Sequence, residues 1–550
     1  MSDESPLWIP SEERVQTSNL QQFIQHINMQ GEAVESYQQL HQWSVADKKK
    51  FWLEIWQFCD VIGFCGNCIY GEGIARWQQF LPARDTIWFP QAQLNYAENL
   101  LSYAFQKPEG IAIWFKNESG QTKKLSWQQL SDQVSVVQQW LTQNGVMKGD
   151  VVAACLPHMP ETVVAMLATT SLGAIWASTS PSDDVTETIA KFEQIQPKIL
   201  FCCNGYSFNG SNHLMEEHNS KIVQSIESIE NTCQIEYLQQ REYSVNFNDT
   251  FSDWQSLLSS YLPRGLTYER IGFNDPLFVL FSDETSFSNT KTVVGDHQPT
   301  TAEPTPPRCI THSVGGTVLN HLKEHQLHCD IQPDERILVN TECDSMMWNW
   351  HISALASGAT LVIYDGCPLY PQPSALWELI QEAEVTLLAT PASYLQTLEK
   401  KAFAPGNFYS LASLKTLCST GEMLDAEQFD YIYHQVKPDL HLSVMSADST
   451  ILGNFVIGNP ISPVYSGECQ GAALGLDIDV IGTDGQPVSC AVGELVCKNS
   501  FPNQPIGFWH DDGEQYHLAF WNNNDGFWHQ SSQVERTRHG GIRCYGLNKS

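Results

Sequence analysis

The sequence is poor in basic charge and has no long apolar run. Its 30 Lys and Arg face 62 Asp and Glu, a formal charge of −32. Such a surface repels nucleic-acid backbones and anionic lipid except where basic residues cluster. No uninterrupted apolar stretch of about 18 residues is present, and Met1 to Pro10 lacks a basic leader followed by an apolar core. The expectation is a cytoplasmic protein with no nucleic-acid or membrane partner. The 16 Cys are scattered, with one CxxC (Cys65, Cys68), one adjacent pair (Cys202, Cys203) and no second CxxC to complete a zinc site. They read as reduced structural thiols, and no metal site is assigned.

What is abundant is apolar and aromatic. Hydrophobic residues make up 42% of the chain and charged ones 17%, with 25 Phe, 17 Trp and 18 Tyr, far beyond the composition of a disordered chain. The 550 residues suffice for roughly two to four domains. The first hundred read as Trp-, Phe- and Gln-rich helices. In residues 47–60, Phe51, Trp52, Ile55, Trp56 and Cys59 recur at helical spacing.

From about residue 125, short apolar strands alternate with helices. Strands are expected at 151–156, 198–202, 277–281, 336–340, 360–364, 385–390, 414–420 and 440–445, and the helix 160–173 is apolar nearly all round. This alternation predicts an α/β fold with parallel sheets covered on both faces. The tail from about 474 has alternating strands at 477–481 and 493–497 with turn signals at Asp484-Gly485 and Gly540-Gly541, a smaller antiparallel region. The expected division is a helical extension over 1–120, an α/β body over 121–473 and a β-rich unit over 474–550. The Thr- and Pro-rich segment 289–307 interrupts the body as a flexible insertion.

Three kinds of residue could carry chemistry. His321, His325 and His328 share one helical face, but no carboxylate or Cys stands ready to complete a metal site, and Lys323 and Glu324 suggest a surface helix. In Met346-Met347-Trp348-Asn349-Trp350, Asn349 could orient a polar ligand in an aromatic wall. Turns after strands expose backbone N–H groups to nucleotides. They fall at residues 282–286, 419–421 and 446–450.

These turns, in this order, together with Leu94-Asn95-Tyr96-Ala97-Glu98-Asn99-Leu100-Leu101, Gln194-Ile195-Gln196-Pro197-Lys198, the block 321–370 and Pro505-Ile506-Gly507-Phe508-Trp509, resemble the acetoacetyl-CoA synthetases of the acyl-adenylate-forming, AMP-binding superfamily. The resemblance covers nearly the whole chain. It implies the large N-terminal domain of such ligases: two parallel-sheet α/β subdomains plus a small antiparallel region. The implied reaction joins acetoacetate and CoA at the expense of ATP, through an acyl-adenylate, with Mg²⁺. The implied nucleotide contacts are Thr285, Ser286, Arg308, Thr420, Gly421 and Ser449, and the implied acyl pocket is Trp348, Asn349 and Ser446.

The sequence departs from the family pattern at several ligand turns. The phosphate-loop glycines are missing, and Asp283 and Glu284 stand where a triphosphate binds, at about 1 kcal/mol or more per like-charge contact. The metal acid falls at Thr450, beside Asp448 and Ser449. The ribose Gly-Asp falls at Ser531-Ser532 and the hinge Arg at Leu547. The family's C-terminal mobile domain, with its catalytic Lys, is expected to be absent, and no catalytic residue is assigned. The reading is an acetoacetyl-CoA synthetase-like protein with impaired catalysis. The alternative is a silent homologue serving as a metabolite-binding or protein-interaction scaffold.

Overall fold

In the computed structural model, residues 5–72, 81–238, 251–282, 307–521 and 526–547 are described. Four short helices open the chain: Glu12–Thr17, Asn19–Met29, Tyr37–Ala46 and Lys48–Phe58. The last starts where Asp47 caps the Lys50 N–H, a contact typically worth about 1 kcal/mol, and its apolar face buries Phe51, Trp52, Ile55 and Trp56. Strand Ile111–Asn117 lies within the stretch expected as the helical extension. It pairs parallel with Thr360–Asp365 and antiparallel with Thr122–Ser126.

Two large sheets follow. The first runs Phe251–Asp253, Asn231–Ile235, Ile199–Cys203, Val151–Cys155, Ile175–Thr179, Pro276–Ser282, Arg308–Ser313, Gly507–Phe508. Its first six strands are parallel and the last two pair antiparallel. The second runs His441–Val444, Thr416–Thr420, Leu387–Pro391, Arg336–Val339, Thr360–Asp365, Ile111–Asn117, Thr122–Ser126, parallel except for its terminal hairpin. Every residue of Val151–Cys155 and Thr360–Asp365 is buried, as strands covered on both faces must be. A third sheet, Ile478–Ile481, Val492–Cys497, Trp528–Arg536 and Ile542–Leu547, is antiparallel throughout. Helix Pro160–Ser171 buries all but Glu161 of its residues. Among the described residues no helix is long and apolar enough to cross a membrane.

The His-rich helix is not at the surface. It runs as Val314–Leu322 into a π-helical turn Lys323–His328, with His321, Lys323, Glu324, His325 and His328 all buried. Polar partners make this burial tolerable. The Lys323 ammonium reaches the Leu474 carbonyl at 3.2 Å. The Glu324 carboxylate accepts from Trp350 Nε1 (3.0 Å), Asn454 N (2.9 Å) and Asn454 Nδ2 (2.7 Å). Two of the imidazoles are tied to backbone carbonyls, His321 to Leu452 and His328 to Gly458. Among the described residues no group of three His, Cys, Asp or Glu could hold a metal ion.

Candidate functional site

The C-terminal ends of the second sheet's strands open onto two cavities. The first, about 280 Å³, is walled by Gly421 and Met423 after strand Thr416–Thr420, by residues 446–450 after strand His441–Val444, and by His529 to Ser532 of the third sheet, with Phe455 and Phe520 behind. The second, about 640 Å³, takes in Thr420, Asp365, residues 340–345 and, from the first sheet, His158 and Ser180. Thr420 and Gly421 are neighbours in the chain, so one turn serves both.

The turn at 446–450 is built by hydrogen bonds rather than by glycine. The Ser446 hydroxyl accepts from Phe455 N at 2.9 Å and Val456 N at 3.3 Å. Ala447 N donates to Asn454 Oδ1 at 2.7 Å, and Asn454 is held by the buried Glu324. A short bridge between Asp448 and Gly453 closes the loop. Three non-glycine residues around it lie in the left-handed region, Ala447 (φ 42°), Leu452 (φ 46°) and Ser531 (φ 56°), a conformation that survives only where the surroundings over-determine it.

Asp448 is spent inside this structure. Its Oδ1 accepts from Thr450 N (2.8 Å) and Thr450 Oγ1 (2.5 Å), and its Oδ2 accepts from Gln530 Nε2. Burial pushes its carboxyl above the usual range, and the two Thr450 contacts partly offset this. Thr450 therefore holds the neighbouring acid rather than replacing it. Glu422 is the remaining wall carboxylate, exposed at the rim. No Lys or Arg lines the cavity among the described residues. Hydroxyls, a histidine and aromatic faces suit a nucleoside or a small acyl group. Among the described residues no side-chain cation faces a phosphate in this wall, and Glu422 is the one wall carboxylate free of Thr450 and Gln530.

Of the site residues expected from sequence, Ser446, Ser449 and Gly421 come together on the first cavity, while Thr420 lines the second. Thr285 and Ser286 lie outside the described residues, as do Asp283, Glu284 and the insertion up to residue 306. Arg308 pairs with Ser282 at the start of its strand, and its guanidinium sits over the Phe508 ring, 5.3 Å from the centroid; it is not part of either wall.

Trp348 and Asn349 are corrected from pocket to core. Helix Met346–Ser353 is buried all round, Trp348 stacks on Trp176 at 6.4 Å, and the Asn349 amide has no hydrogen-bond partner. Only Met347 of that helix lines the second cavity. The residues that sequence reasoning missed, His158, Glu342, Asp344, Asp365, His529 and Gln530, include several just past strand ends. The turns after 336–340 and 360–364 carry the same positional signal as those at 282–286, 419–421 and 446–450.

A family model described as AMP-binding enzyme matches residues 102–501. The acetoacetyl-coenzyme A synthetase of Rhizobium meliloti (strain 1021) is 37% identical over 551 residues, spanning 99% of this chain and 80% of its own. The acetoacetyl-CoA synthetase of Mus musculus is 35% identical over 505 residues, 90% of this chain and 71% of its own. The solved acetoacetyl-CoA synthetase from Streptomyces lividans superposes with a TM-score of 0.89 at 28% identity, over 99% of this chain and 80% of that one. The match lends no support to the expected loss of a C-terminal domain.

Proposed function

The chain belongs to the AMP-binding enzyme family, and we propose that it is an acetoacetyl-CoA synthetase-like protein that takes a small carboxylic acid and a nucleoside in the first cavity, with adenylation impaired. Its substrate classes are those of its relatives' reaction: acetoacetate, ATP and CoA. Ser446, Ser449 and Gly421 present hydroxyl and backbone groups to a ligand there, and Phe455 and Phe520 supply an apolar wall.

The observation that carries the impairment is Asp448, whose two oxygens already accept three hydrogen bonds from Thr450 and Gln530. With its acid occupied and no basic side chain in the described wall, the site has little with which to neutralise developing charge, and such electrostatic stabilisation is what this kind of catalysis most depends on. The test is calorimetric titration with adenosine and with Mg·ATP, followed by acetoacetate-dependent exchange of pyrophosphate into ATP. Adenosine is expected to bind at least as tightly as Mg·ATP, with exchange at the blank rate. Mg·ATP binding tenfold tighter than adenosine, with exchange that depends on acetoacetate, would restore a working ligase. Binding of neither nucleoside nor acid by folded protein would leave the scaffold reading.

A further inference from the structure

We infer that Glu324, buried on the π-helical turn and outside both cavity walls, is a positioning residue of the first cavity. Through Asn454 its carboxylate sets the shape of the 446–450 turn, and with it the affinity of the cavity for a nucleoside. The effect on affinity rests on the nucleoside reading above; the effect on the turn does not.

The path is short and its direction is fixed by chemistry. The Glu324 carboxylate accepts from the Asn454 backbone N–H at 2.9 Å and from Asn454 Nδ2 at 2.7 Å. Asn454 Oδ1 in turn accepts from Ala447 N at 2.7 Å, and Ala447 stands in the wall between Ser446 and Asp448. An ionised carboxylate can only accept, so the amide must turn its NH₂ to Glu324 and its oxygen to Ala447. A reversed amide would set a donor against Ala447 N, which would then be left without its partner.

Glu324 can hold that orientation because its lone pairs are all in use. Besides the Asn454 groups it accepts from Asn320 Nδ2 at 3.2 Å and from Trp350 Nε1 at 3.0 Å. Each carboxylate oxygen therefore meets two donors, the full capacity of the group, and the residue is 0% exposed. Glutamine has the same outline, yet either orientation of its amide would put an NH₂ against two of these donors. The charge is balanced by the buried Lys323, whose ammonium also lies over the Trp52 ring, 5.5 Å from its centroid. Burial pushes the Glu324 carboxyl up, and the Lys323 charge with the Asn454 and Trp350 donors pulls it back.

The loop backbone is shaped to the same contact. A Cβ on Gly453 would stand 2.3 Å from Asn320 Nδ2 and 3.1 Å from Glu324 Oε1, so a side chain at 453 would push the loop off the carboxylate. Gly453 also exchanges backbone hydrogen bonds with Asp448, at 2.8 and 3.3 Å. The helix thus grips residues 452–454 from behind, with His321 Nε2 3.0 Å from the Leu452 carbonyl, while 446–450 face the cavity. Helical turns of the π type occur frequently at functional sites, and this one, Lys323–His328, carries the gripping carboxylate. Trp350 then serves as a donor to Glu324 rather than as a pocket wall.

The experiment titrates adenosine into the whole protein by calorimetry for the wild type, Glu324→Gln, Asn454→Ala, their double variant and Trp350→Phe. Hydrogen–deuterium exchange of segment 446–456 is read by mass spectrometry on the same samples. Glu324→Gln and Asn454→Ala should each weaken adenosine about fivefold or more and speed exchange about tenfold or more. The double variant should do no more than the worse single one, because both break one path. Trp350→Phe takes a donor from the same carboxylate without touching the turn, so it should lower the unfolding midpoint and leave affinity and segment exchange unchanged. Should Glu324→Gln fail to fold by circular dichroism, Glu324→Asp, which keeps the charge and withdraws it by one methylene, decides in its place. Wild-type affinity and exchange in the folded Glu324 variant, losses that multiply in the double variant, or an equal loss of affinity in Trp350→Phe would each overturn the assignment. If the wild type binds no adenosine, the nucleoside reading falls, whereas faster exchange in the Glu324 variant still supports the positioning role and unchanged exchange still overturns it.

Discussion

The two cavities diverge at one peptide bond, between Thr420 and Gly421, yet they treat their acids in opposite ways. In the first, Asp448 has been turned into scaffold, with Thr450 and Gln530 satisfying it. In the second, Asp344 faces the open space without an ion-pair partner among the described residues and Glu342 holds only two hydroxyls. The same parallel sheet thus offers one polar but nearly uncharged cavity and one acidic cavity. Sheet topology explains why both lie at strand ends. How free the acids of each remain is decided by how many hydrogen bonds they already accept.

The comparison can be broken most forcefully at Asp448. Asp448→Ala leaves Thr450 N, Thr450 Oγ1 and Gln530 Nε2 without their acceptor, and at about 1 kcal/mol per lost hydrogen bond the variant should lose about 3 kcal/mol in urea unfolding. Asp344→Asn, removing an acid that burial and the repulsion of Asp183 and Glu342 hold at about 6 despite Lys191, should lose nothing. Equal losses would show that the two carboxylates are alike and the contrast mistaken.

A second effect appears in pH. Asp365, raised by burial to about 7 and flanked by Tyr237, His158, Glu342 and Glu118, binds more protons in the folded than in the unfolded chain between the ordinary carboxyl value and pH 7. Stability therefore falls as pH rises through that window. Asp365→Asn keeps an acceptor for His158 N and should flatten this slope by on the order of 2 kcal/mol across pH 4 to 7. A slope unchanged in the variant would move the effect to another group.

The third expectation concerns what is not a cavity. Asn349 buries an amide with both polar atoms unpartnered, so Asn349→Leu should stabilise the chain by about 1 to 2 kcal/mol, the cost of an unsatisfied group, without altering binding at the first cavity. Loss of ligand affinity in that variant would return Asn349 to a pocket.

Asn349 also marks the limit of what the sequence could say. The apolar strands and the helix at 160–173 were legible because a buried parallel strand reads as a continuous apolar run. So were the turns at 419–421 and 446–450, which follow such strands directly. Lys323 and Glu324 misled because a charged letter suggests solvent, and only tertiary partners such as Trp350, Asn454 and the Leu474 carbonyl reveal burial; Asn349 misled because a polar letter among aromatics suggests a ligand pocket, whereas its amide is buried without a partner. The acidic cavity was invisible for a related reason. Its acids come from segments far apart in the chain, around 342 and 365, beside a histidine at 158, and no local spacing connects them.

The smallest expected effect tests whether the first cavity's turn is held under strain. Ala447, at φ 42°, occupies a conformation that costs a non-glycine residue about 1 kcal/mol or more. Ala447→Gly relieves this but adds freedom to the unfolded chain, so the net gain should be only about 0.5 kcal/mol. Nucleoside affinity should fall at the same time, because the turn is then defined by the Asn454 and Asp448 contacts alone. Stability gained with affinity kept would mean those hydrogen bonds suffice and the strain does nothing for the site. Stability lost would mean that the alanine methyl packs usefully, and the turn would then be no more strained than the acidic cavity beside it.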